Sequence, residues 1–189
     1  MECRPQVILI DGITGSGKST AIEHIERNYQ NYCSVVKKTT SRAQRNNQDD
    51  NHYFGTVLES NPDTVSYWDV GEQYAIDLRK LRFNLTKGKT SVLVCTSNYA
   101  RRRLREEFDV VTIYVFRTIS ERGVRDLMVE RNVENTVAID ARIYEYQKLL
   151  DDYIESVTEY EVTILNIGEL SKFVLQLDTI LGRFGCKNG

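Results

Sequence analysis

The sequence contains few residues that break or crosslink a fold. Only two of its 189 residues are proline, Pro5 and Pro62, so little in the chain interrupts a helix or a strand. It has four cysteines that lack the spacing of a metal site: Cys3, Cys33, Cys95 and Cys186. This scatter indicates reduced thiols rather than a disulfide framework, which is typical of a cytoplasmic protein.

Long apolar runs and a strong net charge are also lacking. No run approaches the ~20 apolar residues that cross a bilayer, and the N-terminus has no apolar segment of a signal peptide. The formal net charge is −2, whereas a general nucleic-acid binder usually has a basic excess. We therefore expect one cytoplasmic domain over residues 1–189, a monomer or a homodimer. Its partners are expected to be small molecules rather than a membrane or nucleic acid.

The stretch LIDGITGSGKST, residues 9–20, has the full phosphate-binding loop pattern. Gly12 is followed by four residues and then by Gly17, Lys18 and Ser19. Glycines permit backbone angles that turn N–H groups inward around phosphate oxygens. An apolar strand pattern precedes the loop and a helical pattern follows it, so the helix N-terminus faces the same anion. The chain is therefore predicted to bind a nucleoside triphosphate.

The same loop predicts the details of a donor site for ATP. Lys18 is expected to reach the β- and γ-phosphates, and the Ser19 hydroxyl is expected to ligate Mg²⁺. The other expected ATP-binding residues of the loop are Gly12, Ile13, Thr14, Gly15, Ser16, Gly17 and Thr20. The loop by itself does not separate a kinase from a motor or a switch GTPase, although the sequence has no Asn-Lys-x-Asp segment of a switch GTPase.

Strand and helix patterns alternate along the chain. Strands are predicted at 6–10, 34–39, 64–70, 90–96, 110–116 and 161–166. Helices are predicted at 18–30, 71–87, 98–107, 119–131, 136–156 and 169–182. Such alternation predicts an α/β fold with a mostly parallel sheet between two helical layers, whose ligands lie outside the carboxyl ends of the strands.

Two polar segments depart from this alternation. Residues 39–55 are rich in Asn and Asp and are too long for an ordinary connection. Residues 119–136 carry several arginines and few apolar side chains, which predicts a mobile, charged segment. Phosphoryl transfer needs cations around the transferred group, and arginine binds phosphate oxygens two at a time. The two segments therefore favour a kinase.

The stretch TTSRAQR, which begins the first polar segment, resembles the Thr-Thr-Arg-x-Pro-Arg segment of guanylate kinases. The resemblance implies that Arg42 and Arg45 hold the phosphate of an acceptor monophosphate, with Tyr53 assisting. The later stretch GEQYAID is similar to the family's Gly-x-x-Tyr segment and implies the same role for Tyr74. An acceptor-binding segment is therefore expected at residues 39–75.

The resemblance extends to the C-terminal half of the chain. The stretch SERGVRDLMVERNVENTVAIDARI is similar to the family's lid and the helix after it, which implies a lid at 119–136 and places Arg131 and Arg142 over the transferred phosphate. VTILNIGELSKF resembles the family's ending, whose asparagine corresponds to Asn166 on the donor-base side. The resemblance implies a P-loop three-layer sandwich and an ATP- and Mg²⁺-dependent nucleoside monophosphate kinase.

The family's guanine-binding positions are changed in this sequence. Its two carboxylates correspond to Tyr67 and Thr96, with Asp69 and Glu72 available to replace the first, and Lys38 replaces a small hydroxyl residue. A site that leaves a buried polar group unpaired discriminates strongly against the wrong base. GMP is therefore predicted not to be the best acceptor.

Three other features allow more than one interpretation. Asp11, at the end of the first strand, is expected either to orient a Mg²⁺ water or take a proton from a hydroxyl acceptor, or to accept the loop's own N–H groups. The arginines of RRRLR, residues 101–105, are interpreted as solvated surface residues. His52 is a weaker candidate for the acceptor site.

Two alternatives to a monophosphate kinase stay open. A kinase of the same fold with another acceptor, such as a sugar phosphate or a modified base in nucleic acid, would differ only in its acceptor pocket. A non-catalytic guanylate-kinase-like binding module is disfavoured because Lys18 and Ser19 are both present.

We predict that Mg-ATP raises the melting temperature of the protein and that Lys18→Ala abolishes the rise. A ligand that binds only the folded state stabilises it by mass action, and the variant lacks the cation of the loop. Thermal-shift measurements at increasing Mg-ATP check this. A wild-type protein that shows no shift would favour the binding module.

Overall fold

The computed structural model describes residues 6–44, 52–57, 59–69, 71–117, 120–130 and 136–186. Its strands are β1 (Val7–Asp11), β2 (Cys33–Val35), β3 (Lys38–Thr40), β4 (His52–Phe54), β5 (Thr64–Asp69), β6 (Glu72–Asp77), β7 (Thr90–Val94), β8 (Val110–Phe116) and β9 (Val162–Leu165). Its helices are α1 (Lys18–Asn28), α2 (Leu78–Thr86), α3 (Asn98–Arg105), α4 (Glu121–Glu130), α5 (Thr136–Glu155) and α6 (Leu170–Arg183).

The main sheet is parallel and has the strand order β2-β7-β1-β8-β9. β1 lies at its centre and is buried along its whole length, as a strand covered on both faces must be. Ile8 and Ile10 pack in a core with side chains of α1 and α6, whereas Val7 and Leu9 pack in a second core with side chains of α2 and α3. The predicted α/β sandwich with helices on both faces is therefore confirmed.

A second, smaller sheet has the strand order β4-β3-β6-β5. β3 pairs with β4 in parallel and with β6 in antiparallel orientation, and β5 pairs with β6 in antiparallel orientation. Paired residues share a face, so the pairs Lys38 with His52, Thr40 with Tyr74, and Tyr67 with Tyr74 place five side chains on one face. We call it the inner face, because it includes the buried residues Lys38, Thr40 and Tyr67.

The structure corrects two boundaries. The predicted helix at 71–87 is wrong over its first part, because residues Glu72–Asp77 form β6 and α2 begins only at Leu78. β6 is extended because it pairs with β5 along its whole length, from Glu72 opposite Asp69 to Asp77 opposite Thr64. The Asp77 carboxylate then caps α2 by accepting the Arg79 N–H at 3.0 Å. The single strand predicted at 34–39 is two strands, β2 and β3, one in each sheet.

The region of the predicted lid contains α4, which packs on α5 through a small separate cluster of Val124, Ile139 and Ile143. Residues 131–135, between the two helices, lie outside the described part of the chain. No helix within the described residues is long and apolar enough to cross a bilayer. The described cysteines are buried thiols, with the sulfur of Cys33 3.5 Å from that of Cys186.

We predict that Leu177→Ala lowers the free energy of unfolding by about 2–5 kcal/mol, because it leaves a cavity in the core beneath α6. Leu175→Ala on the same helix is the matched control. Its side chain is 67% exposed, so its effect should stay within about 0.5 kcal/mol. Urea denaturation of both variants checks the placement of α6, and equal losses would contradict it.

Candidate functional site

The phosphate-binding loop between β1 and α1 requires glycine at two positions. Gly12 has φ +142° and Gly17 has φ +108°, where other residues are strained. A Cβ on Gly12 would lie 2.4 Å from the Val115 carbonyl oxygen, and one on Gly17 would lie 2.7 Å from Nδ2 of Asn166. At both positions the loop backbone therefore lies too close to its neighbours to leave room for a side chain.

Two side chains that directly follow β8 and β9 hold the loop from outside. Nη1 of Arg117 donates to the Gly15 carbonyl at 2.8 Å, and Nδ2 of Asn166 donates to the Ser16 carbonyl at 2.7 Å. The resemblance implied a place for Asn166 on the donor-base side, and in the structure its amide binds the main chain of the loop. Sequence analysis missed Arg117. Its only signal is its place immediately after β8, at the carboxyl edge of the sheet.

The interior of the loop suits a triphosphate. Nζ of Lys18 donates to the carbonyls of Gly12 at 2.5 Å and Ile13 at 2.7 Å, which holds the ammonium over the loop. The buried hydroxyl of Ser16 has no hydrogen-bond partner among the described residues. Lys18 and this hydroxyl are groups that phosphate oxygens would pair with.

The loop also suits a magnesium ion carried by ATP. The described residues include no cluster of three or more His, Cys, Asp or Glu side chains able to hold a metal. Ser19 lies exposed in the first turn of α1, whereas Thr14 in the loop and Thr20 in the helix are half-buried. Mg²⁺ is commonly bound by few protein ligands together with substrate phosphates and waters, so a single hydroxyl fits this mode.

Asp11 is buried at the end of β1, and both of its carboxylate oxygens are occupied. Oδ1 accepts the N–H of Gly12 at 2.6 Å. Oδ2 accepts from Nη1 of Arg101 and from the Tyr160 hydroxyl, the latter at 2.7 Å. Burial, together with the Asp11 charge, raises the pKa of Tyr160 well above its usual range, so Tyr160 stays protonated and donates. Of the alternatives for Asp11, the structure favours the partner of the loop's N–H.

The prediction that Arg101 is a solvated surface residue is wrong. Its side chain is only 1% exposed, and its guanidinium carbon lies 4.9 Å from the centre of the Tyr160 ring. The reason is helical periodicity, since Arg101 shares the buried face of α3 with Leu104 one turn later. Arg102, on the opposite side, is 71% exposed.

The inner face of the second sheet carries a buried lysine between two tyrosines. Nζ of Lys38 donates to the Tyr67 hydroxyl at 2.8 Å and lies 4.7 Å from the centre of the Tyr74 ring. The two rings stack with their centres 5.7 Å apart. Burial lowers the pKa of Lys38, while the nearby charges of Asp69 and Asp11 act against this. Asp11 is also the carboxylate that accepts the Gly12 N–H of the phosphate-binding loop.

Thr96 follows β7 and donates its hydroxyl hydrogen bond to Oδ2 of Asp69, the last residue of β5. The structure thereby joins two positions that the sequence named separately for the base of the acceptor. Asp69 and Thr96 are both half-buried, which leaves them partly accessible.

Arg42 lies with His52 and Tyr74. Nη2 of Arg42 is 3.5 Å from Nδ1 of His52, whose ring centre lies 5.9 Å from that of Tyr74. Tyr53 is not brought to this group. Strand alternation turns it to the other face of the second sheet, where Nζ of Lys80 lies 4.1 Å from the centre of its ring. His52, the weaker candidate, occupies the place that the sequence suggested for Tyr53.

Three predicted site residues are not described. Arg45 and Arg131 lie outside the described residues, and Arg142 belongs to α5 but its side chain is not described. Their roles at the acceptor phosphate and in the lid stay predictions.

Comparison with known proteins identifies the fold that carries this site. The structure superposes on guanylate kinase from Anaplasma phagocytophilum with a TM-score of 0.63 and 19% sequence identity, covering 96% of this chain and 89% of that chain. The chain has the guanylate kinase fold. A family model of the viral superfamily 1 RNA helicase core domain also matches residues 8–68, which include the phosphate-binding loop. A search of curated proteins finds no match.

We predict that Arg101→Met lowers the free energy of unfolding by about 3–5 kcal/mol, because it leaves the Asp11 carboxylate buried without its cation. Arg102→Met, one residue along the same helix, should change it by less than about 0.5 kcal/mol. Urea denaturation measures both. If the two variants were equally stable, the buried ion pair would have no role in holding the loop.

Proposed function

We propose that the protein is an ATP- and Mg²⁺-dependent kinase that phosphorylates a nucleoside or deoxynucleoside monophosphate other than GMP. One observation carries this proposal. The inner face of the second sheet presents Arg42, His52, Tyr74 and Lys38 in a group. A cationic face beside a phosphate-binding loop is suited to a second, anionic substrate.

On the donor side, the loop N–H groups and Lys18 bind the β- and γ-phosphates of ATP. Ser19 holds Mg²⁺, which neutralises the charge that develops on the transferred phosphate. Arg117 and Asn166 fix the carbonyls of Gly15 and Ser16, so that the loop keeps its shape before ATP arrives.

On the acceptor side, Arg42 binds the monophosphate, with Arg45 and Tyr74 as its proposed partners. A monophosphate oxygen is already negatively charged and needs no general base. The absence of a general base agrees with the hydrogen bonds of Asp11, whose two carboxylate oxygens already accept from Gly12, Arg101 and Tyr160. The same hydrogen bonds argue against the alternative of a hydroxyl acceptor, for which Asp11 was the candidate base.

The base end of the acceptor site does not suit guanine. The N1–H and the exocyclic amine of guanine both need hydrogen-bond acceptors. Lys38 can only donate, and the Thr96 hydroxyl already donates to Asp69. Two carboxylates pair at this end of β5 and β6, and each already accepts a side-chain hydrogen bond: Asp69 from Thr96, and Glu72 from the Ser41 hydroxyl at 3.0 Å.

Closure of the lid over both phosphates completes the proposed reaction. The α4 and α5 cluster is small and separate from the two main cores, which suits a segment that moves. Arg131 and Arg142 are proposed to contact the transferred phosphate in the closed state, from which water is excluded.

We predict ADP formation from Mg-ATP with one or two non-guanine monophosphates in a panel of ribo- and deoxynucleotides, and none with Lys18→Ala. Arg42→Met should raise the KM for the monophosphate by about tenfold or more and leave the KM for ATP unchanged, because it removes a charge-assisted hydrogen bond to one substrate only.

The matched control is Arg102→Met, whose side chain is exposed on α3 and should leave both constants unchanged. ATP binding without turnover of any monophosphate would reject this proposal in favour of a different acceptor. Absence of ATP binding would instead leave the binding module.

A further inference from the structure

Lys38 is a buried cation without a carboxylate partner. Lys38 is only 5% exposed. Among the described residues, no carboxylate lies within ion-pair distance of its Nζ. An ammonium has three donors, and the described hydrogen bonds of Lys38 use one of them, on the Tyr67 hydroxyl. The rings of Tyr67 and Tyr74 offer cation–π attraction but no further acceptor.

Such a group is costly to bury unless something completes its hydrogen bonds. Arg101, the other buried cation of this region, shows the difference, since it is bonded directly to Asp11. Arg101 therefore has a structural partner within the chain, whereas Lys38 has donors left for a ligand. Lys38 bonds to Tyr67, and Asp69 lies two residues after Tyr67 on the same face of β5, so Lys38 shares the inner face with the carboxylate that meets Thr96.

Asp69 supplies the complementary group. Its Oδ2 accepts from Thr96, and its other oxygen has no hydrogen-bond partner among the described residues. One cationic donor and one anionic acceptor thus flank the inner face, together with the stacked pair of Tyr67 and Tyr74.

We propose, building on the monophosphate kinase function above, that Lys38 and Asp69 select an acceptor whose base is a pyrimidine-2,4-dione, that is, of the uracil or thymine type. Lys38 donates to a ring carbonyl oxygen, and Asp69 accepts the N3–H beside it.

The hydrogen-bonding edges of the bases support this choice. In a dione, N3–H lies between two carbonyls, so it faces Asp69 whichever carbonyl binds Lys38. Cytosine and adenine present a ring nitrogen lone pair at that position, which a carboxylate repels. Guanine presents O6 and N1–H correctly, but its amine then requires a second acceptor. Three long side chains, those of Lys38, Tyr67 and Tyr74, also fill the inner face and favour the smaller ring.

The test compares kcat/KM for dTMP, dUMP and UMP with that for dCMP, CMP, dGMP and GMP. We expect the wild type to prefer a dione over the matching cytosine nucleotide by at least tenfold. Lys38→Met, which keeps the length of the side chain and removes its charge, should reduce that preference at least tenfold through KM, with the KM for ATP unchanged. Lys37→Met is the matched control. Lys37 is the neighbour of Lys38 in sequence, but it lines a groove on the opposite side of the second sheet together with Tyr53 and Lys80.

Asp69→Asn provides an independent variant. Its amide can donate to a cytosine N3, so the variant should turn over dCMP better relative to dTMP than the wild type does. Melting temperatures of all variants show whether each one is folded.

The possible outcomes separate the two proposals. A dione preference that Lys38→Met and Asp69→Asn weaken and Lys37→Met does not supports the inference. Best turnover of GMP or of a cytosine nucleotide, or a dione preference that survives Lys38→Met, overturns it while the kinase function stands. ATP binding without turnover of any monophosphate overturns both.

Discussion

The carboxylate of Asp11 fixes the place where the phosphate-binding loop leaves the sheet. It accepts the first N–H of the loop from Gly12 and is held in turn by Arg101 and Tyr160. These contacts tie the end of β1 to α3 and to the turn before β9, so three separate parts of the chain meet at one buried charge. Gly12 can then pack directly against the Val115 carbonyl, which only glycine permits. The shape of the donor site depends on this connection.

Two buried cations lie near this carboxylate, and their different environments imply different purposes. Arg101 forms a direct ion pair, so its charge is balanced inside the protein. Within the described part of the chain, the Lys38 ammonium donates to a hydroxyl and lies over two ring faces, with no carboxylate at ion-pair distance. Breaking a buried ion pair costs free energy, and so does burying a cation whose hydrogen bonds are incomplete. A bound ligand can offset only the second of these costs, because it can complete the hydrogen bonds of the cation. In the proposed kinase, this incompletely bonded cation is the group that would give the acceptor site its specificity.

Strand alternation in the second sheet decides which side chains can meet an acceptor. His52 and Tyr53 are neighbours in sequence, yet they lie on opposite faces of β4. His52 joins Arg42 and Tyr74, while Tyr53 packs beneath Lys80. The resemblance selected Tyr53 by its distance along the chain from Arg42, whereas His52 is the residue that meets Arg42. A shift of one residue along a strand moves the side chain to the opposite face of the sheet.

Features encoded within a few consecutive residues were predictable from the sequence. The phosphate-binding loop is one such feature, since Gly12, Gly17, Lys18 and Ser19 act through local backbone geometry. The buried strands around it follow from dense apolar runs, and they led correctly to the α/β sandwich. The helix predicted at 71–87 failed over its first part because EQYAID has no period-2 pattern that would mark a strand, and it is extended only through its pairing with β5.

Tertiary structure alone decided the contacts that join distant residues. Arg101 meets Asp11 across 90 positions, and Tyr160 meets it across 149. Asp69 meets Thr96 across 27, at the carboxyl ends of strands in different sheets. Nothing in the local pattern of RRRLR distinguishes the buried arginine from its exposed neighbours except the helical phase set by Leu104. The sequence by itself therefore determined the phosphate-binding loop, because that feature is local. The order of strands and the phase of helices decided which charges are buried together, because those depend on packing across the whole chain.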